Sequence, residues 1–158
     1  MARIPMLDRT DHAIIAVLQQ NARLSNKELA ARVGVAPSTC SERMRRLEAE
    51  GVFTGFHATV DPGALGIGLQ AMIAVRLRRH AAEEVDAFRR HAASMPEVAS
   101  VSHVTGPNDF LVHVVVRDAD HLRDLAVSGF TTMQEVDHIE TALIFEHMAK
   151  GTLPDLTK

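Results

Sequence analysis

The segment from residue 38 to residue 46, STCSERMRR, concentrates hydroxyl, carboxylate and guanidinium side chains. Hydroxyl and carboxylate groups can hydrogen-bond to base edges in the DNA major groove, and guanidinium groups bind phosphate oxygens or guanine. On a helical wheel most of these side chains fall opposite an apolar stripe formed by Cys40, Met44 and Leu47. A three-helix bundle with a solvated charged side is the plain alternative. The candidate DNA contacts are Ser38, Thr39, Glu42, Arg43, Arg45 and Arg46.

The spacing of histidine and cysteine residues gives little support for a metal site, a redox site or a catalytic site. The nine histidines include no HxH or HExxH pattern, and a single cysteine can form neither a CxxC pair nor an internal disulfide. Cys40 lies on the inward side of its helix, where a thiol packs as a small apolar group. We therefore expect no metal site, no cofactor and no catalytic residue.

Three short helices are predicted to position the candidate DNA contacts. Asp8 is typical of the cap of a helix over residues 9–20, and Ser25 followed by Glu28 forms a capping box for residues 26–33. Gly34 suits the positive φ that ends a helix, and Pro37 suits the first turn of the next. A small residue at the helix contact and a glycine four residues later are typical of a helix-turn-helix, whose second helix enters the major groove.

The remainder of the chain alternates between strand and helix patterns. Residues 52–60 are predicted to form an extended strand that follows the helix-turn-helix, and a turn and small residues mark a linker over 61–68. Apolar periodicity then predicts strands over residues 70–78, 98–104, 110–117 and 137–146. It predicts helices over residues 82–95 and after the cap Asp118. This βαββαβ order is that of a ferredoxin-like domain with both helices on one side of an antiparallel sheet. The expected α+β protein thus has domains 1–60 and 69–158.

The sheet surface away from the helices carries too many apolar residues for contact with water. Its expected members are Met72, Ala74, Leu111, Val115, Ala142 and Ile144. Since a soluble monomer rarely exposes such a patch, we expect a homodimer that buries this surface.

Charge and composition agree with a nucleic-acid-facing module joined to a different one. Residues 1–51 carry eight Lys and Arg against six Asp and Glu, whereas residues 52–158 carry nine against fourteen.

No apolar run approaches the ~18 residues of a membrane helix, and the first twelve residues carry charges where a signal peptide is apolar. We therefore expect a cytoplasmic protein without a membrane partner.

The whole chain resembles the Lrp/AsnC family of transcription regulators. The resemblance lies in LDRTDHAII, ARLSNKELAARVGVAPSTCSERMRRLEAEGV, GFHATVDPGALG, the TGPNDF loop and IETALIFEHM. It implies an N-terminal winged-type helix-turn-helix domain that binds a double-stranded DNA operator, and a ferredoxin-like domain that senses an amino acid. It also implies dimers that assemble further, commonly into an octamer of four dimers. The chain departs from the family at Ala36, where a Ser cap is usual, and at Glu135, where Gly is usual.

The resemblance places an amino-acid effector at the TGPND loop, between subunits of neighbouring dimers. Backbone N–H groups near Gly106 suit the effector carboxylate, and Asp109 suits its ammonium. A simple turn is the alternative, because Gly, Pro, Asn and Asp form turns in any protein. The candidate effector contacts are His103, Thr105, Gly106, Pro107, Asn108, Asp109 and Thr141.

The sequence leaves two alternatives to transcription regulation. Some proteins that resemble this family decarboxylate sirohaem with basic and histidine residues. Arg76, Arg78, His103 and His113 meet this requirement only loosely. RNA binding by a βαββαβ domain needs aromatic side chains on the central strands. Tyr and Trp are absent, and only Phe110 is suitably placed.

Overall fold

The computed structural model, which describes residues 6–157, begins with three helices. They are α1 (Arg9–Gln20), α2 (Asn26–Val33) and α3 (Pro37–Ala49). The Asp8 carboxylate accepts hydrogen bonds from the first turn of α1, and the capping box predicted for α2 forms with both of its hydrogen bonds. Gly34 ends α2 at φ 73°, a left-handed conformation that costs a glycine little. These local signals confirm the predicted helix-turn-helix.

One small core holds the three helices together. Its fully or almost fully buried members are Ile14, Leu18, Leu29, Ala30, Cys40 and Leu47. The buried position of Cys40 agrees with its predicted packing role, and burial raises the pKa of its thiol.

The strand predicted after α3 is absent from the described residues. Residues 52–60 contain no strand and are not part of the sheet of this chain. The rings of Phe53 and Phe56 lie 5.3 Å apart in this segment. An extended segment becomes a strand only when a second strand takes up its N–H and C=O groups, so sequence pattern alone was an insufficient guide here.

A four-stranded antiparallel sheet forms the rest of the fold. Its elements are β1 (Leu69–Leu77), α4 (Ala82–Ser94), β2 (Val98–His103), β3 (Phe110–Val116), α5 (Ala119–Leu125) and β4 (Val136–Leu143). The strands lie in the order β2-β3-β1-β4, which is the predicted ferredoxin-like arrangement. Residues 61–68, predicted as a linker, contain a short 3-10 helix, Pro62–Leu65.

The two surfaces of the sheet differ in burial. Ile73, Val75, Val112 and Val114 alternate along the central strands and are fully buried under α4 and α5. The intervening side chains on the other surface of the sheet are only partly buried or exposed. They include Met72, Ala74, Leu111, Val115, Ala142 and Ile144, the six apolar residues expected there.

After α5 the chain continues as a π-helix, Ala126–Thr131, which the sequence did not predict. Gly129 is buried in it, and a Cβ there would lie 3.0 Å from the sulfur of Met95. The Glu135 departure is accommodated without strain, because among the described residues only glycines have a positive φ.

The chain divides into two compact units, and the division differs from the predicted domains. The second unit is Val60–His147, whereas the segment from Met148 on groups with the helix-turn-helix unit. The side-chain amide of Gln19 bonds the backbone of Leu153 in both directions, and His12 lies 2.9 Å from Asp155. Contacts between residues so distant in sequence are invisible to local patterns. No helix within residues 6–157 is long and apolar enough to cross a membrane.

Candidate DNA-binding surface and ligand loop

The outer side of α3 carries most of the predicted DNA contacts. Ser38, Thr39, Glu42 and Arg45 are exposed, while Cys40 and Leu47 on the opposite side are fully buried. The helix is therefore attached to the core by one side and presents hydroxyl, carboxylate and guanidinium groups on the other. Groups of this kind, at the start of the second helix of a helix-turn-helix, can reach base edges and phosphates.

Arg43 and Arg46, also predicted as DNA contacts, are bound to α1 instead of extending freely. Arg43 Nη1 donates to Asp8 at 2.6 Å and to Asp11 at 2.9 Å. Arg46 Nη2 donates to the other carboxylate oxygen of Asp11 at 2.5 Å. Sequence analysis identified Asp8 only as a cap and did not single out Asp11, although their spacing of three at a helix start was visible.

Asp11 is a fully buried charged residue. Burial by itself would raise the pKa of Asp11, but hydrogen bonds from the Asp8 N–H and the two guanidinium groups outweigh it and lower the pKa. The pKa of Asp8 is lowered from 3.8 to about 2, chiefly by its hydrogen bond with Arg43. Both carboxylates are thus held ionised, and both arginines are neutralised locally.

The loop predicted to bind the effector, residues 105–109, lies between β2 and β3 and is held in place by Asp109. Its carboxylate accepts from the Leu77 N–H at 2.8 Å and lies 2.9 Å from His80 Nδ1. Its backbone N–H donates to Val75, and its carbonyl accepts from Val104. His80 was missed by sequence analysis, because the pairing joins residues 29 positions apart without a local pattern.

The tip of the loop is open to solvent. Thr105, Gly106 and Pro107 are exposed, and Asn108 is partly buried. Gly106 has a φ of 124°, and nothing lies within 4 Å of the position that a Cβ would occupy. The missing side chain therefore leaves the backbone accessible to a ligand.

The other two predicted effector contacts lie in different surroundings. The ring of His103 stacks on Phe110 next to the loop, with centroids 4.7 Å apart. Thr141 pairs with Ile73 in the middle of β1. Since β1 separates β4 from β3, the structure does not bring Thr141 together with the loop within one chain.

The candidates for tetrapyrrole chemistry do not share one surface. His113 bonds Gln70 on the sheet surface opposite the helices, and burial with the nearby His147 lowers its pKa. His103 pairs with Phe110, which faces the helices, so the two histidines point to opposite sides. Among the described residues no cluster of three His, Cys, Asp or Glu side chains could hold a metal ion.

Comparison with known sequences identifies both units. A sequence model of the Lrp/AsnC ligand binding domain matches residues 70–154, and one of a winged helix-turn-helix DNA-binding domain matches residues 7–54. The HTH-type transcriptional regulator AldR of Mycolicibacterium smegmatis is 42% identical over 148 residues, covering 94% of this chain and 86% of that protein. The Leucine-responsive regulatory protein of Escherichia coli K12 is 32% identical over 145 residues, covering 92% and 88%.

Solved structures share the fold along nearly the whole chain. A transcriptional regulator of Neisseria meningitidis, solved as its L-Met complex, superposes with a TM-score of 0.88 at 30% identity, covering 96% of this chain and 98% of that one. AsnC of Escherichia coli superposes with a TM-score of 0.83 at 26% identity, covering 94% and 99%. These relatives are transcription regulators and not enzymes. The chain therefore belongs to the Lrp/AsnC family, as a DNA-binding transcription regulator with a ligand-binding domain.

Proposed function

We propose that this regulator recognises a specific operator through the exposed side of α3, and that an amino acid bound at the 105–109 loop changes its DNA binding. The observation that carries the first half is the division of α3 into a buried side and a polar, exposed side. Ser38, Thr39 and Glu42 would contact base edges near the start of the helix. Arg45 would contact phosphate, because its side chain is exposed and α1 does not hold it.

Arg45→Ala tests the proposed contact of α3 with DNA. Each phosphate that is neutralised adds about 0.9 to the slope of log affinity against log salt. The variant should therefore bind operator DNA more weakly, with a salt slope shallower by about that amount. Arg123→Ala, which removes the same charge from α5 in the other unit, is the matched control and should leave the slope unchanged. Equal slopes in all three proteins would place the DNA contact elsewhere.

The second half of the proposal is supported by the chemistry of the loop. A free amino acid carries a carboxylate and an ammonium, so its site must provide donors for one and an acceptor for the other. The exposed backbone around Gly106 offers donors, and the carboxylate oxygen of Asp109 that faces His80 offers an acceptor. The L-Met complex of the Neisseria meningitidis relative adds support for an amino-acid ligand.

A thermal-shift screen of the twenty amino acids identifies the effector. A ligand at 100 times its dissociation constant adds roughly 2.7 kcal/mol of stability. Operator affinity is then measured with and without that ligand in Gly106→Val. Gly66→Val is the matched control, since Gly66 also has a positive φ, open space and a place in the second unit. Loss of the response only in Gly106→Val supports the loop, whereas an intact response in both variants makes the loop a simple turn.

Assembly completes the proposal. The apolar sheet surface would be buried in a homodimer, and four dimers would form an octamer in which neighbouring subunits close the ligand site. A ligand that binds one arrangement of dimers better than another shifts the population toward it. DNA affinity would then change without any change in the residues that read the bases.

A further inference from the structure

We propose that Asp11 of α1 is a positioning residue for DNA recognition, which holds Arg43 and Arg46 of α3 as an ordered pair. In this arrangement the two arginines serve recognition of the correct operator and add little to sequence-independent attraction. The inference rests on the proposed contact of α3 with DNA. Arg45 is the contrasting residue on the same helix, with an exposed side chain that Asp11 does not hold.

The carboxylate of Asp11 binds both guanidinium groups and fixes their positions. Asp11 is fully buried, and its own position is held by a hydrogen bond from the Asp8 N–H at 3.0 Å. One carboxylate oxygen binds Arg43 and the other binds Arg46. A second contact, from Asp8, completes the hold on Arg43. Two side chains that usually sample many rotamers are thus ordered before DNA arrives.

Arg43 and Arg46 remain partly exposed although Asp8 and Asp11 hold them. The side chain of Arg43 is 26% exposed and that of Arg46 is 42% exposed. Each gives a single terminal nitrogen to the carboxylates, and a guanidinium has five N–H donors. A cavity of ≈ 470 Å³ is lined by Thr39 and Glu42 together with Asp8, Arg43 and Arg46. The ordered guanidinium donors therefore lie next to two of the side chains proposed to contact base edges.

The net charge of the group explains why Arg43 and Arg46 would contribute to specific recognition more than to sequence-independent binding. Asp8, Asp11, Arg43 and Arg46 together carry no net charge, so the group exerts little attraction on phosphate at a distance. Non-specific binding depends on net positive charge and counterion release, whereas specific binding depends on donors in fixed positions. Pairing the two arginines with the buried Asp11 and the exposed Asp8 therefore lowers affinity for non-specific DNA more than it lowers affinity for the operator.

The test is Asp11→Asn, which keeps the size of the side chain and an oxygen acceptor but removes the charge. We expect the ratio of operator to non-specific affinity to fall about tenfold, as for loss of an ordered base contact. We expect non-specific affinity to rise, with a salt slope steeper by about 0.9, because one arginine charge is released. A residue that merely stabilised the fold would lower both affinities together.

Glu48→Gln is the matched control. It removes one negative charge from the exposed surface of α3, and Glu48 makes no ion pair with Arg43 or Arg46. Both affinities should rise together in this variant, so that their ratio stays the same. A ratio that falls equally in Glu48→Gln and Asp11→Asn would overturn the proposal, because net charge alone would then explain it.

A second variant covers the case in which Asp11→Asn does not fold. Asp8→Asn keeps a good helix cap and removes one of the two contacts to Arg43, so we expect a smaller fall in the ratio. An unchanged ratio in every folded Asp8 and Asp11 variant overturns the inference. If Arg45→Ala also leaves operator binding unchanged, the proposed α3 contact fails as well. Weakened binding by Arg45→Ala alone leaves that contact standing.

Discussion

In the 105–109 loop a single carboxylate makes two different contacts. Asp109 accepts from the Leu77 N–H at the end of β1, and its other oxygen faces His80. The first contact belongs to the fold, because it gives an acceptor to a backbone N–H at the end of β1. The second oxygen is the one proposed to accept from an effector ammonium. Substitutions at this residue therefore change stability and ligand response together unless they are chosen to separate them.

Asp109→Ala and Asp109→Asn make that separation. Alanine removes the acceptor of the Leu77 N–H and should destabilise the second unit by about 1–3 kcal/mol, the cost of an unsatisfied donor. Asparagine keeps an oxygen acceptor but loses the charge, so its thermal unfolding should stay near that of the parent while the amino-acid response is lost. Thermal unfolding and operator titrations check the two effects. Equal destabilisation by both substitutions would contradict the role assigned to the backbone contact.

Acid should weaken the helix-turn-helix unit through Asp8. The pKa of Asp8 is lowered from 3.8 to about 2 in the folded chain. The stabilisation from this carboxylate is therefore fully present above pH 3.8 and is lost as the pH falls toward about 2. Asp8→Asn removes it, so the difference in melting temperature between parent and variant should shrink over that interval. Parallel losses in the two proteins would show that other groups control acid unfolding.

At the scale of elements, α3 and α4 both begin without a side-chain cap. Ala36 precedes α3 and Ala81 precedes α4, and neither can accept a hydrogen bond from the first turn. Ala36→Ser should stabilise α3 by about 1 kcal/mol, because serine supplies that acceptor. Amide hydrogen exchange measures the gain locally. Ala81→Ser is the control, since it should slow exchange in α4 and not in α3. No slowing in α3 would mean that its first turn is already satisfied.

The bounds of α1 and α2 could be predicted because their caps lie within a few residues of their ends. The capping box of Ser25 and Glu28 and the glycine at 34 are sufficient signals. The π-helix and the unpaired segment 52–60 could not be predicted, because each depends on distant packing or on a second strand. The same reason explains why the exposed residues of α3 were anticipated while the hold of Asp11 on two arginines was not.

At the scale of the whole molecule, the partly exposed apolar surface of the sheet is where assembly should be tested. Leu111 lies on that surface, opposite Ala74 on the next strand. Leu111→Asp would place an unpaired charge in the proposed dimer interface, which costs several kcal/mol, so sedimentation should show smaller species. Val127→Asp, at a side chain 55% exposed in the π-helix, is the control and should sediment like the parent. The reverse result would assign the interface to another surface.

The return of the last segment to the helix-turn-helix unit has a consequence for chimeric regulators. The backbone passes between the two units twice, after Thr59 and before Met148. A chimera that exchanges only the first sixty residues would separate Gln19 and His12 from their native partners, Leu153 and Asp155. A helix-turn-helix unit transplanted from a relative should therefore include two pieces of chain. These are the N-terminal helices and the C-terminal segment that contacts them, so that the helices keep their native contacts.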